Sequence, residues 1–400
     1  MTGPLTVGLT YIDNSSSSAS LGVSNPSTVT NQTIAEAFVH GFNAAGGLHD
    51  RKLKLIEYKF NGNATNYGTE ATTACVKFTQ DYHVSVVLDN AFGGTGGFRD
   101  CLAKAGVLDI TNQYEGNTAS SSKAPLHANT MSMTTDRTYS AVLTQLVSTG
   151  YLSNKNQLGV IIENCPEDSA AYSTTLLPLI GRLGLKKPQE TRIDCTVGFS
   201  SAAPAASRIS GAVLAFRRAG VDRVMIVSYE ESVALLFFAQ TADSQKYFPG
   251  YALSSSAQAQ ALRSSIPKGQ WPQLNGAGNS AFGDVDGSTP TPVDARCLRV
   301  TKAGGISPGS YANTHAILYE CGTFLLLEAA LGKTNGNSGA GDLAAAIASL
   351  GTGFSGPDLV GSATKFTSTR HDGPNMTQVF GYVAACTCIR YRGNPAIAPA

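Results

Sequence analysis

The chain has 400 residues, longer than one ordinary domain, and reads as two. Only 14% of the residues are charged, and 29 Lys and Arg against 28 Asp and Glu leave a net charge of +1. That balance excludes a basic nucleic-acid binder, and 42% hydrophobic residues exclude a disordered acidic chain.

The elements follow in chain order. Leu5–Leu9 predicts a strand, and Asn31–Ala45 a helix stopped by Gly46-Gly47. Strand Lys52–Tyr58, helix Asn66–Asp81, strand Val84–Leu88, helix Gly97–Ala105 and strand Val107–Thr111 come next. Then come helix Asp136–Ser148, strand Gln157–Glu163, helix Ser169–Leu183 and strand Gln189–Cys195. Helix Ala206–Ala219, strand Arg223–Ser228, helix Glu231–Gln240 and strand Tyr251–Ser254 continue the alternation. Apolar strands separated by helices mean parallel sheets covered on both faces, in two doubly wound lobes. Ser264–Gly309, with five prolines and the single Trp271, breaks the rhythm as a long excursion. An apolar helix Tyr311–Leu331, a Gly-rich loop, a helix Asp342–Leu350 and a terminal strand Phe380–Ile389 complete the chain.

No window holds the ~18 apolar residues that a membrane span needs, and the first residues lack a signal-peptide pattern. The cysteines bear on the compartment. Cys75, Cys101, Cys165, Cys195, Cys297 and Cys321 fall into successive pairs 26, 30 and 24 residues apart. These spacings suit disulfides, each worth about 3 kcal/mol by chain entropy, and not the close pairs of a zinc site. On a flat strand Cys386 and Cys388 would stand too far apart to bond, so a bridge between them requires a turn or bulge. Bridges imply an oxidising compartment; eight buried thiols in a reducing one are the alternative.

Chemical motifs mostly fail. The run from Asn90 to Gly97 follows a strand and opens a helix, but Arg99 stands where a dinucleotide fingerprint needs glycine, and no Walker lysine is present. What survives is an expectation that its N–H groups bind an anion. No G-x-S-x-G elbow occurs, and the six histidines lack metal-ligand spacing. Asp284-Val-Asp-Gly-Ser starts like a calcium loop and lacks the later acid. Asn14, Asn31, Asn63 and Asn375 head glycosylation sequons. No metal, cofactor or catalytic residue is expected.

In open α/β sheets, ligands sit beyond the carboxyl ends of the strands. That rule selects Tyr11; Asn90, Ala91, Phe92 and Gly93; and Asn112, Gln113 and Tyr114. Further along it selects Glu163, Asn164, Tyr172, Tyr229 and Glu230. Phe92, Tyr114 and Tyr229 would stack on a flat ligand, and Arg370 with His371 would meet a carboxylate.

Several stretches in order carry a resemblance. They are Leu5-Thr-Val-Gly-Leu, the turn Ala44-Ala-Gly-Gly-Leu-His-Asp-Arg-Lys-Leu-Lys-Leu, Cys75, Cys101 and Val107-Leu-Asp-Ile-Thr. Together the sequence resembles the type I periplasmic-binding-protein family, of the branched-chain amino acid (Leu/Ile/Val) kind that serves ABC transporters. The resemblance implies two Rossmann-like lobes with parallel sheets, joined by three crossings, with a ligand cleft between them. Lobe 1 would be 1–127 and 256–357, and lobe 2 would be 128–255 and 358–400. It implies a non-enzymatic, monomeric, extracytoplasmic protein of periplasm or cell surface, with an ABC permease as partner. Any lipid anchor would lie on a leader outside this chain. By the same resemblance Glu230 would hold an ammonium group, while the Asn90-Ala-Phe-Gly loop departs from the small Ser/Thr pattern of amino-acid binders. The ligand is then an amino acid or a small aromatic or carboxylate compound. Alternatives are a ligand-sensing domain of a receptor or regulator with the same fold, and a hydrolase with a dispersed site.

Overall fold

A computed structural model describes residues 3–13, 27–61, 66–93, 97–195, 202–228 and 231–399. The chain divides into two compact units. Of the described residues, unit 1 takes those up to Met133 together with Thr289–Asn375, and unit 2 takes those from Thr134 to Ser288 together with those from Met376 onward. Among the described residues the passages between units fall at 133/134, 288/289 and 375/376, where the resemblance implied 127/128, 255/256 and 357/358.

Unit 1 is built on five parallel strands: β1 (Leu5–Asp13), β2 (Leu53–Asn61), β3 (Val86–Asn90), β4 (Leu108–Thr111) and β5 (His127–Asn129). Their order is β2-β1-β3-β4-β5. β3 and β4 are buried at every position, as strands covered on both faces must be. Helix Asn31–Ala44 opens on a capping box between Thr30 and Thr33, and helix Pro292–Ala303 on one between Thr291 and Asp294. These two helices touch at Gly41, where a Cβ would lie 2.1 Å from the Val300 carbonyl oxygen, so only glycine permits the approach. Phe38 and Phe324 stack with centroids 5.1 Å apart, joining helix Asn31–Ala44 to helix Tyr311–Lys333.

Unit 2 holds β6 (Leu158–Glu163), β7 (Gln189–Ile193), β8 (Arg223–Val227) and β9 (Gly250–Ala252), all parallel in the order β7-β6-β8-β9. The order repeats that of β2-β1-β3-β4. A second sheet is antiparallel: β10 (Asn275–Gly278), β11 (Met376–Val383) and β12 (Cys388–Ile397). A bridge from Leu253 to Gly276 links β9 to β10. Aliphatic and aromatic side chains from β6, β8 and the helices Ala202–Arg218 and Glu231–Ser244 fill one core, and Tyr139, Tyr172 and Leu176 belong to another.

Three expectations change. The terminal strand Phe380–Ile389 is a hairpin, because residues 384–387 form a turn between β11 and β12. The excursion Ser264–Gly309 contains a 3₁₀ helix (Lys268–Gln273), β10 and helix Pro292–Ala303. The helix expected at Ser169–Leu183 runs as Pro166–Ala171, a π-turn Tyr172–Leu176 and Leu177–Arg182.

Four disulfides close: Cys75–Cys101, Cys165–Cys195, Cys297–Cys321 and Cys386–Cys388. Among the described residues no helix is long and apolar enough to cross a membrane.

Candidate ligand site at the carboxyl edges

Both parallel sheets reverse their winding at one place. In unit 1, β1 is followed by β2 on one side and flanked by β3 on the other; in unit 2, β6 stands likewise between β7 and β8. Such a reversal opens a crevice beyond the carboxyl ends of the two central strands. Near that edge in unit 1, Tyr11 and Asn90 are Cα partners across β1 and β3 and both are buried. In unit 2 the corresponding pair is Glu163 and Ser228, whose hydroxyl donates to Glu163 Oε2 at 2.6 Å.

The loop after β3 is held from inside. Asp89 is fully buried and accepts from Thr10 Oγ1 at 2.5 Å and from the backbone N–H groups of Ala91, Phe92 and Gly93 at 3.1, 2.9 and 2.7 Å. Burial, with Asp109 nearby, pushes the Asp89 carboxyl up to about 7. The anion site expected at these amides is therefore corrected for Ala91, Phe92 and Gly93: their donors are already spent on Asp89. Residues 94–96 lie outside the described residues.

The remaining unit 1 candidates divide between the edge and the interior. Phe92 is completely buried, its ring 4.5 Å from Phe98 and 5.1 Å from Phe60, and its carbonyl accepts from Tyr67 Oη. Its surface is used in the core, as is that of Ala91. Asn90 donates to Glu320 of helix Tyr311–Lys333, and Asn112 donates to the Tyr319 carbonyl at 3.1 Å. Gln113 donates in turn to Asn112 Oδ1 at 2.9 Å. A Cβ on Gly93 would lie 2.9 Å from the Tyr114 carbonyl, so the loops after β3 and β4 abut. Tyr11 is 8% exposed, while Gln113 and Tyr114 are half-buried.

Arg370 and His371 are engaged beside β5. The guanidinium donates to Pro374 O at 2.7 Å and to Asn375 Oδ1 at 3.0 Å, and lies 3.5 Å from the Asp372 carboxylate. His371 Nδ1 lies 3.0 Å from the His127 carbonyl, and burial lowers its pKa.

In unit 2, Tyr172 is 1% exposed and belongs to the core, and Asn164 is exposed. Tyr229 and Glu230 lie outside the described residues. The neighbouring Glu231 is fully buried and accepts from Tyr139 Oη at 3.1 Å and from Ser254 N at 3.2 Å; burial raises its carboxyl to about 7.

Sequence reasoning passed over several buried polar groups. Asp89, Glu320 and Glu231 were readable as acids set in or beside apolar runs, a pattern that buried, hydrogen-bonded carboxyls produce. His127 lies between Asp109 at 2.9 Å and Glu115 at 2.6 Å, with Arg99 3.3 Å from Glu115. Nothing in their spacing announces that cluster.

Two cation readings end within the protein's own groups. The Asp284 carboxylate accepts from Ser255 Oγ, Ser280 N and Tyr391 Oη at 2.9–3.0 Å. Glu163 with Cys165 and Cys195 is the group of metal-type donors found among the described residues, and both sulfurs there are tied in a disulfide.

No family model matches the sequence, and no curated protein does. Solved structures do. A type 1 periplasmic binding protein from Bordetella pertussis Tohama I is similar over 98% of this chain and 100% of its own, with TM-score 0.68 and 17% identity. The chain has the type I periplasmic binding fold. An ABC-transporter solute-binding protein from Rhodopseudomonas palustris BisB5, solved with 3,4-dihydroxybenzoic acid, matches over 99% of this chain and 98% of its own (TM-score 0.69, 13% identity). A leucine-binding protein from Thermotoga maritima MSB8 matches over 98% of both chains (TM-score 0.69, 11% identity). Within this periplasmic binding fold, the similar structures carry a leucine-type and a benzoate-type description, so the fold leaves the ligand class open.

Proposed function

We propose that the protein is the extracytoplasmic solute-binding component of an ABC importer, capturing a small amino acid, aromatic acid or carboxylate by closing two lobes around it and delivering it to a permease. The observation that carries this reading is the repeated strand order. It puts a strand-order reversal, where such folds take ligands, at the carboxyl edge of each unit, with Tyr11 beside Asn90 in one and Glu163 bonded to Ser228 in the other. Closure about a hinge needs two such edges and no catalytic group. The four disulfides fit an oxidising compartment.

Within the site, Tyr11, Gln113 and Tyr114 supply the unit 1 wall. Tyr229 and Glu230, next along the chain after Ser228, supply the ring and the acid for a ligand ammonium.

Thermal unfolding against a library of amino acids, benzoates and short carboxylates tests the reading. A true ligand at about 100 times its Kd stabilises the protein by about 2.7 kcal/mol, a shift of several degrees. Recovery of the stabilising compound unchanged supports capture. Conversion of that compound to product would overturn it, as would the absence of any stabilising compound.

A further inference from the structure

The Cys386–Cys388 bridge differs from the other three in loop size and in the exposure of one of its cysteines. It spans two positions in sequence, against 26, 30 and 24 for the others. Closing so small a ring removes little chain entropy from the unfolded state, so folding gains little by keeping it closed. Cys386 is exposed, whereas Cys75, Cys297 and Cys321 are wholly buried and Cys101, Cys165 and Cys195 are half-buried. Thr387, between the two cysteines, has φ 51°, a left-handed conformation that a β-branched side chain resists.

The hairpin around the bridge has other ties. β11 and β12 pair from Val383–Cys388 back to Met376–Ile397, and Ile389 N donates to Asp286 Oδ2 at 2.8 Å. Cys386 Sγ lies 3.5 Å from the Val383 carbonyl oxygen, placed to accept a hydrogen bond from the thiol that reduction would create.

We propose that Cys386–Cys388 is a thiol–disulfide exchange site for small thiols, opening and closing while the other three bridges stay intact. A thiolate attacks Cys386 Sγ and the Sγ–Sγ bond breaks. Cys388 leaves as a thiolate and takes a proton, and Cys386 carries the mixed disulfide. A second thiol attacks that mixed disulfide, releasing the oxidised thiol dimer and the Cys386 thiol. Two thiols are oxidised and one protein disulfide is reduced, with two electrons passed to the bridge.

The test uses the native full-length chain in graded reduced glutathione, alkylation with iodoacetamide and peptide mass spectrometry. The expected result is half-opening of Cys386–Cys388 at a glutathione concentration at least ten-fold below that for any other bridge. Opening together with the others, or after them, overturns the proposal. A Cys388→Ser variant given oxidised glutathione should form a mixed disulfide on Cys386. Failure to form it, while a reference peptide thiol in the same tube is glutathionylated by the same oxidised glutathione with release of reduced glutathione, also overturns it.

Discussion

Asn90 donates its side-chain amide to the Glu320 carboxyl, and one oxygen on each side chain, Asn90 Oδ1 and Glu320 Oε1, is buried with no hydrogen-bond partner among the described residues. A proton on Glu320 directed at Asn90 Oδ1 would satisfy both and make a neutral acid–amide pair. Burial holds the Glu320 pKa well above its ordinary value, with Asn90 and Asn112 opposing the shift and Asp89 adding to it.

The pair makes stability pH-dependent with a definite sign. The folded state keeps a proton that the unfolded state loses near pH 4.5, so stability falls as pH rises from there toward the raised pKa. One proton is worth about 1.4 kcal/mol per pH unit. Glu320→Gln keeps both hydrogen bonds without the proton. Urea unfolding should show the variant matching wild type near pH 4.5 and exceeding it increasingly toward pH 8. Parallel pH profiles would refute the neutral pair.

His127 gives a second pH dependence. Burial disfavours its charge, but Glu115 and Asp109 prevail and raise its pKa to about 10. Its stabilisation is fully present below pH 6.5 and is lost as pH rises through about 10. His127→Gln leaves two buried carboxylates facing each other and should cost about 3–5 kcal/mol at pH 7, measured by urea unfolding. A loss below about 1 kcal/mol would show that the charge is not held.

Phe92 and Tyr114 separate packing from recognition. Phe92→Ala opens a cavity among Phe60, Tyr67 and Phe98 and should cost about 3–5 kcal/mol of stability. Tyr114→Ala should cost under about 1 kcal/mol and weaken a flat ligand at least ten-fold, about 1.4 kcal/mol, by calorimetry. The opposite pattern would move the site away from the β4 loop.

Cys75→Ala with Cys101→Ala should remove about 3 kcal/mol, since the bridge closes a loop with a separation of 26. Thermal unfolding in the presence and absence of reductant checks the value. An unchanged midpoint would show that the bridge does not restrain the unfolded chain.

The parallel sheets were legible because strands buried on both faces read as apolar runs, as Val84–Leu88 and Arg223–Ser228 do. The antiparallel sheet was not. β10 is Asn275-Gly-Ala-Gly278, and a Cβ on Gly276 would meet the Leu253 carbonyl at 2.3 Å; the close approach that makes it a strand also gives it a loop's composition. The β11–β12 turn hid inside an apolar stretch, although the Cys-Thr-Cys spacing required one. Of the residues chosen by strand ends, Tyr11 and Asn90 are Cα partners across β1 and β3, although β1 runs on to Asp13. Strand ends did not reveal that Phe92 turns inward, because a strand's end fixes where a loop begins and not which of its side chains the core will take.

The Asp89 carboxylate that occupies three loop amides has one more consequence. A turn whose amides are answered by a carboxylate of the same chain is shaped without a ligand. The entropy of fixing Ala91, Phe92 and Gly93 is spent in folding, so those three residues would be set before any solute met this edge.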